Sequence, residues 1–176
     1  WEDLATIAGA LENADSIDPR TLINIWANWE KLSWFARSEL VLAMSRKSEL
    51  KEQTQQALQR LQVAGDKRGL RQIIDDERDF SSYMGSNLRD QCAVVGALTR
   101  LDGSAEGKPA RERLLRGIYD VYAGGTSSLD TQSSAQCLMA LHEVSRKNPE
   151  MNAALPIKLG LDNQMQSLAI AASKQS

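Results

Sequence analysis

The side chains best suited to chemistry are two cysteines and a single histidine. Cys92 and Cys137 lie 45 residues apart, and neither belongs to a Cys-x-x-Cys or Cys/His cluster, so the sequence offers no zinc site. His142 has no Ser or Cys nucleophile with a recognisable local motif, and its place late in a helix favours a dipole partner. We therefore expect no catalytic residue, no metal site and no cofactor.

The two cysteines are predicted to be small buried side chains on helix faces. They are not predicted to form a disulfide, because their positions differ by one residue when the two helices are overlaid, and bridging requires a specific geometry.

One acidic run has the spacing of a metal motif. Asp75-Asp76-Glu77-Arg78-Asp79 matches the Asp-Asp-x-x-Asp pattern with which isoprenoid synthases hold magnesium and a diphosphate. That chemistry needs a second acidic cluster on another helix, and the sequence has none. We interpret the run as a solvated helix end. If it did bind a metal, the alternative for the whole chain would be a toroidal enzyme such as a terpenoid cyclase or a glycosidase.

Aromatic and glycine clusters are the remaining candidates. Trp26, Trp29 and Trp34 could form a ligand platform, but aromatic side chains at helical spacing favour core packing. Gly124-Gly125, followed by Thr126, Ser127 and Ser128, could cradle an anion, but a helix stop and a loop explain it more simply.

Composition indicates one globular domain. The chain has 176 residues, a net charge of -2 and 42% hydrophobic residues. No basic stripe is present, so we expect no nucleic-acid partner, and no apolar run has the length of a membrane span. Because it starts with Trp1 and no Met, we interpret it as a processed protein or a fragment.

The apolar spacing predicts an all-α chain. Helix starts are expected at Asp18-Pro19, Ser33, Ser48, Ser86, Pro109 and Asp130. In the first helix the buried face is predicted to hold Leu4, Ile7, Ala8 and Leu11, and in the last Ala135, Leu138, Met139, Leu141 and Val144. Residues 64–85 are mixed, with a short helix possible over 70–76.

Helices rich in small residues alternate with longer, more charged ones. Small side chains allow close approach, so the pattern favours inner and outer helices in an α/α array of helical hairpins. We assign residues 1–150 to this array. Residues 151–176 are assigned to a linker and possible strands of a following β-domain, because residues 156–171 alternate around the turn signal Asp162-Asn163.

Two segments of the sequence have a polar start that leads into a helix rich in small residues. The first is Tyr83-Met84-Gly85-Ser86-Asn87-Leu88-Arg89-Asp90-Gln91, and the second is Leu129-Asp130-Thr131-Gln132-Ser133-Ser134-Ala135-Gln136-Cys137-Leu138-Met139-Ala140-Leu141. They resemble successive inner-helix starts of bacterial alpha-2-macroglobulins, which implies that residues 1–150 are a partial α/α-toroid. In that family the pattern is a Gly-Ser-x-x-Arg-Asp run and, one helical pair later, a Thr-Gln run leading into an Ala-Leu helix. Arg89, Asp90, Thr131 and Gln132 match it.

The resemblance implies the scaffold of a protease trap, a thioester-type toroid followed by β-sandwich domains. Its partners would be proteases, through the full-length parent, and the neighbouring β-domains. The location would be periplasmic or in the cell envelope, with a membrane contacted only through an upstream anchor. The family's Cys-x-Glu-Gln thioester motif is absent from this chain, so Arg89, Asp90, Thr131 and Gln132 are expected to cap and tie helices.

A helical-repeat module that binds a partner peptide between hairpins is the alternative from another class. It predicts a concave apolar face.

Overall fold

The structure is a computed structural model that describes residues 1–11, 17–75, 86–123, 130–148, 155–161 and 164–170; side chains are described up to residue 148, except at 122 and 123. Helices dominate, as predicted. They are α1 (Glu2–Ala10), α2 (Pro19–Trp26), α3 (Trp34–Met44), α4 (Lys51–Gln62), α5 (Asn87–Leu101), α6 (Lys108–Ala123) and α7 (Thr131–Lys147), with 3-10 helices at Trp29–Lys31 and Ser48–Leu50.

Side-chain caps start four of these helices where the sequence indicated. The carboxylate of Asp18 accepts from the amide of Arg20, and Pro19 takes the first helical position of α2. Ser33 begins α3, Ser86 begins α5 and Asp130 begins α7, each accepting a hydrogen bond from the amide three residues later. These caps fix where each helix enters the packed array.

The odd-numbered helices form a row in which α1 packs on α3, α3 on α5 and α5 on α7. Helix α2 packs on α1 and α3, α4 on α3 and α5, and α6 on α5. We call the odd-numbered set the central row and the even-numbered set the flanking helices. Central and flanking helices therefore alternate along the chain, as predicted, but the flanking helices are not the longer set, since α2 has 8 residues and α4 has 12, against 15 in α5 and 17 in α7.

The core follows the central row. Helices α3 and α5 are buried over most of their length. The largest fully buried apolar side chains include Leu22, Ile25, Leu32, Leu40, Met44, Leu50, Leu61, Ile74, Leu98 and Leu114.

The predicted buried faces of the two end helices are wrong except at Ala8 and Val144, which are buried. Helix α1 buries Glu2, Ala5, Ala8 and Gly9, and α7 buries Ser133, Cys137, Ala140 and Val144. Leu4, Ile7 and Leu11 are exposed on α1, as are Ala135, Leu138, Met139 and Leu141 on α7. Contacts within the row are made by small side chains, so the large apolar ones turn outward.

The short helix considered over residues 70–76 is absent from the described part of that segment. Strand β1 (Asp66–Arg68) pairs antiparallel with β2 (Arg71–Ile73), and Gly69 adopts a φ of 63° in the turn. The buried amide of Gln72 donates to the carbonyls of Gln62 and Ala64, and this fastens the hairpin to the end of α4.

A second hairpin lies in the C-terminal segment, where alternation predicted one. Strand β3 (Leu155–Leu161) pairs antiparallel with β4 (Gln164–Ile170), with Leu155 opposite Ile170. The hairpin is confirmed; that it belongs to a following β-domain stays a prediction.

Candidate functional site

The central row has one end at which its helices all begin. The hydrogen bonds among their first turns come from neighbouring helices as well as from local caps. We call this region the capped end and define it by Glu2, Ser33, Ser86, Asp90 and Asp130. Two of the four motif residues singled out in the sequence, Arg89 and Asp90, are buried there.

The start of α3 receives a carboxylate from each side. Glu2 of α1 accepts from the amide of Ser33 at 2.9 Å and from its hydroxyl. Asp90 of α5 accepts from the amide of Trp34 at 3.1 Å. The first amides of a helix lack intrahelical partners, and the two side chains supply the acceptors that these amides need. Helix α3 is thereby tied to both neighbours.

Burial dominates the electrostatics of Asp90, of which 4% is exposed. Loss of water raises the pKa of its carboxyl to about 6, and the nearby Glu2 carboxylate pushes the same way. The charge of Arg89 and the amides of Phe35 and Trp34 oppose that rise without cancelling it. Asp90 is therefore ionised at neutral pH at a cost to the fold.

Arg89 partners its sequence neighbour and an aromatic ring. Its Nε lies 3.7 Å from Oδ1 of Asp90, and its guanidinium carbon lies 4.3 Å from the ring centroid of Phe35. The ring face gives the buried cation an attractive surface. Arg89 thus connects α5 to the first turn of α3.

Helices α5 and α7 are joined by a directed chain of hydroxyls. The Ser86 hydroxyl accepts from the Arg89 amide and contacts the Ser133 hydroxyl, which donates to the Asp130 carboxylate at 2.6 Å. These bonds hold the pKa of Asp130 below its ordinary value. Ser86 must donate to Ser133 for the chain to be satisfied.

Thr131 and Gln132, the other two motif residues, are exposed on the first turn of α7. The structure does not bring them into the chain of hydroxyls. Sequence reasoning instead missed Glu2 and Ser133. The acid in the first turn of α1 and the serine three residues after Asp130 were the available signals.

The prediction that the cysteines are unbridged is wrong. Cys92 and Cys137 form a disulfide between α5 and α7, with their Cα atoms 4.9 Å apart and both side chains fully buried. Overlaying the two helices compares equivalent positions, whereas a bridge requires facing positions on adjacent helices. Both thiols are consumed, so neither is a nucleophile.

The tryptophan cluster packs as core, as expected, with arginines over the ring faces. Trp29 is 3% exposed and meets Trp26 edge-on, with ring centroids 4.9 Å apart. Arg37 lies 4.3 Å from the Trp34 ring, and Arg60 lies 4.8 Å from the Trp26 ring. A ligand platform needs an open ring face, and the protein's own guanidinium groups cover these.

Two of the remaining sequence candidates lie mostly or wholly outside the described residues: these are residues 76–79 of the acidic run and the segment 124–128. Asp75, the one described residue of the acidic run, is exposed and accepts a hydrogen bond from the side chain of Asn87. His142 is exposed, while its neighbour Glu143 accepts from Arg146, which lowers the pKa of Glu143.

The described side chains include no group of three or more His, Cys, Asp or Glu that could hold a metal ion. Within the same residues, no helix combines the length and apolar character that crossing a bilayer requires.

Comparisons of the chain with protein-family models, curated proteins and solved structures gave no match.

Proposed function

We propose that this chain is the scaffold portion of a bacterial alpha-2-macroglobulin-like protease inhibitor that traps proteases after bait cleavage. The central row and its flanking helices would be part of an α/α-toroid, and the segment acts mechanically, as a rigid face for adjoining β-sandwich domains. Arg89 and Asp90 work as structural residues in this account, with no catalytic residue and no cofactor.

The observation that carries the proposal is that Ser86, Arg89 and Asp90 of the Gly-Ser-x-x-Arg-Asp run lie at the capped end. Ser86 contacts α7 through Ser133, while Arg89 contacts the Phe35 ring of α3 and Asp90 holds the first turn of α3. These three residues thus fasten α5 to both neighbours in the row. A motif with this role suits a framework, since it fixes helix positions and leaves no reactive group exposed.

Exposed apolar side chains at the two ends of the row support a setting within a larger protein. Leu4 and Ile7 on α1 are 47% and 53% exposed, and Leu138 and Met139 on α7 are 68% and 58% exposed. Apolar clusters of this kind suit contact with adjoining protein.

The disulfide supports a periplasmic or cell-envelope location for the parent. Disulfides form and persist in oxidising compartments, and are rare where thioredoxin and glutathione keep thiols reduced. Buried between α5 and α7, this one is integral to the row.

The test is an entrapment assay on the full-length gene product. A protease mixed with it should keep its activity on small peptide substrates and lose activity on large protein substrates, as expected of an enclosed enzyme. A parent with its bait cleavage site substituted is the control. A covalent product that survives denaturation would place a thioester elsewhere in the parent. Equal activity on large substrates with and without the parent would contradict the proposal.

A further inference from the structure

A polar groove runs beside α4 and is separate from the capped end. It has a volume of about 790 Å³, within the ~300–1,000 Å³ typical of ligand sites. One wall is the end of α3 with α4, and the other is the end of α5 with the segment that follows it. The lining residues are Ser45, Lys47, Ser48, Lys51, Thr54, Gln55, Leu58, Gln59, Gln62, Leu101, Asp102, Gly103, Ser104 and Glu106.

The α4 wall carries a row of side-chain amides. Gln55, Gln59 and Gln62 are spaced i, i+4 and i+7, so they share one face of the helix. A primary amide offers both a donor and an acceptor, as a peptide group does. Four helical residues rise about 6 Å, and two residues of an extended strand rise about 6.6 Å. The Gln55 and Gln59 amides are therefore separated by nearly the spacing of same-side peptide groups in a strand, while the three residues from Gln59 to Gln62 rise only about 4.5 Å.

The opposite wall is held in place by Asp102, which is 8% exposed. Its carboxylate accepts from the amide and hydroxyl of Ser104 and, at 2.7 Å, from the side chain of Gln62. Burial alone would raise the pKa of Asp102, but these hydrogen bonds and the nearby Arg111 lower it below the ordinary value. The carboxylate stays ionised and orients one amide of the row, which limits the ordering cost of binding.

The two ends of the groove differ in charge, and an apolar surface lies between them. Lys47 and Lys51 lie at the end where α4 begins, and the Gln62–Asp102 pair lies at the other. Leu58 and Leu101 are half-buried between them and supply an apolar floor. An acidic group is favoured at the lysine end, with an apolar side chain farther along.

We propose that this groove binds an extended peptide segment, which pairs its backbone with Gln55 and Gln59 and places an acidic side chain beside Lys51. Leu58 and Leu101 receive an apolar side chain of the same peptide. Main-chain pairing supplies affinity and the side-chain positions supply selectivity. The groove differs from the concave apolar face expected of a helical-repeat binding module, since most of the residues that line it are polar or charged.

The test uses the ¹⁵N-labelled chain and a blocked heptapeptide, Ala-Glu-Ala-Leu-Ala-Ser-Ala, followed by amide chemical shifts. Shifts are expected over residues 45–62 and 101–106. The same peptide with Lys in place of Glu should bind about fivefold more weakly, the size of one exposed charge contact. No shifts in the groove at millimolar peptide, or equal affinity for the two peptides, would overturn the proposal.

Substitutions in the groove distinguish the charge contact at Lys51 from the hydrogen bonds of the glutamine side chains. Lys51→Glu should reverse the preference between the peptides, and Gln59→Ala should weaken both peptides equally. Lys67→Glu, on β1 outside the groove, is the matched control and should change neither affinity. If Lys67→Glu acts like Lys51→Glu, binding reflects overall charge and the site is not this groove.

Discussion

Two contacts within the central row hold similar helices together by different chemistry. Between α5 and α7 the contact consists of a covalent bond and small side chains. The Cys92–Cys137 disulfide lies near the point where Gly96 and Ala140 approach each other closely. At the start of α3 the contact is ionic and polar, with Glu2 and Asp90 accepting from the first amides of the helix. We call these the covalent seam and the polar seam.

The difference shows what each helix needs from its neighbours. Helix α7 lies at one end of the row and turns Leu138 and Met139 outward, so it gains little apolar burial from its other side. The disulfide to α5 stabilises the position of α7 in place of the missing apolar burial. Helix α3 has neighbours on both sides and a buried apolar face, so apolar burial already stabilises it. What it needs from its neighbours is hydrogen-bond acceptors for the buried amides of its first turn. The covalent seam should respond to reductant, and the polar seam to pH.

Breaking the covalent seam should have the largest effect. Replacing both Cys92 and Cys137 by alanine removes a cross-link with a sequence separation of 45 residues. For a loop of this size the chain-entropy relation gives a loss of about 4 kcal/mol in the free energy of unfolding. Urea denaturation followed by circular dichroism measures it.

Reductant provides the control for that variant. Dithiothreitol should destabilise the native chain by a similar amount and leave the double alanine variant unchanged. Equal denaturation midpoints for oxidised and reduced native chain would show that the bridge contributes nothing to stability.

The polar seam should show a pH dependence with an unusual sign. Because the folded pKa of Asp90, about 6, lies above the ordinary 3.8, the folded chain holds this proton more tightly than the unfolded chain. Stability from this group is complete below pH 4 and falls as pH rises to about 6. The shift corresponds to about 3 kcal/mol. Asp90→Asn keeps an acceptor for Trp34 without the charge, so it should remove this fall and be more stable at pH 7.5.

Asp102 is the matched control, since its pKa is lowered. Its contribution is present above the unfolded pKa, 3.8, and is lost only as pH falls below that value, so Asp102→Asn should be equally harmful from pH 4.5 to 7.5 and less harmful at pH 3. Urea midpoints of each variant relative to the native chain, at pH 3, 4.5, 5.5 and 7.5, measure both trends. Parallel pH trends for the two variants would contradict the assigned burial of Asp90.

Alanine substitutions at two helical glycines test how closely the helices pack at two different contacts. A methyl group at Gly117 in α6 would lie 2.6 Å from the carbonyl oxygen of Gln72 and would overlap the Gln91 amide. At Gly96 in α5 the nearest atom would be Cβ of Ala140, at an ordinary 3.6 Å. Gly117→Ala should therefore cost about 1–3 kcal/mol, while Gly96→Ala should gain up to ~1 kcal/mol from helix propensity. Thermal denaturation compares them, and equal effects would contradict the packing assigned to α6.

Local signals in the sequence were sufficient to locate most helices. Asp18, Ser33 and Asp130 each accept from an amide two or three residues later, a preference that depends on neighbouring residues alone. The hairpin at 155–170 was also predictable, because a period of two and a turn signal are local patterns. The short β1–β2 hairpin was not, since its anchor is the contact of Gln72 with α4.

Contacts between distant segments explain the failures at the site. Arg89 and Asp90 were found through a motif, but their partners Phe35 and Trp34 lie more than fifty residues away. The cysteine pair was missed because facing positions depend on how α5 and α7 rotate against each other. That rotation is set by small side chains such as Gly96 and Ala140, which carry little weight in a hydrophobic pattern.

The smallest expected effect tests which face of α7 is buried. The hydrophobic pattern places Leu138 in the core, whereas the structure leaves it 68% exposed. Leu138→Gln should change the free energy of unfolding of this chain by less than ~0.5 kcal/mol, as exposed substitutions do. Leu98→Ala, at a fully buried position of α5, should cost about 2–5 kcal/mol and serves as the control. Urea denaturation of both variants decides the question: a loss for Leu138→Gln comparable to that of Leu98→Ala would mean that α7 packs with its large residues inward. The disulfide partner Cys137 would then have to face away from α5, which the bridge forbids.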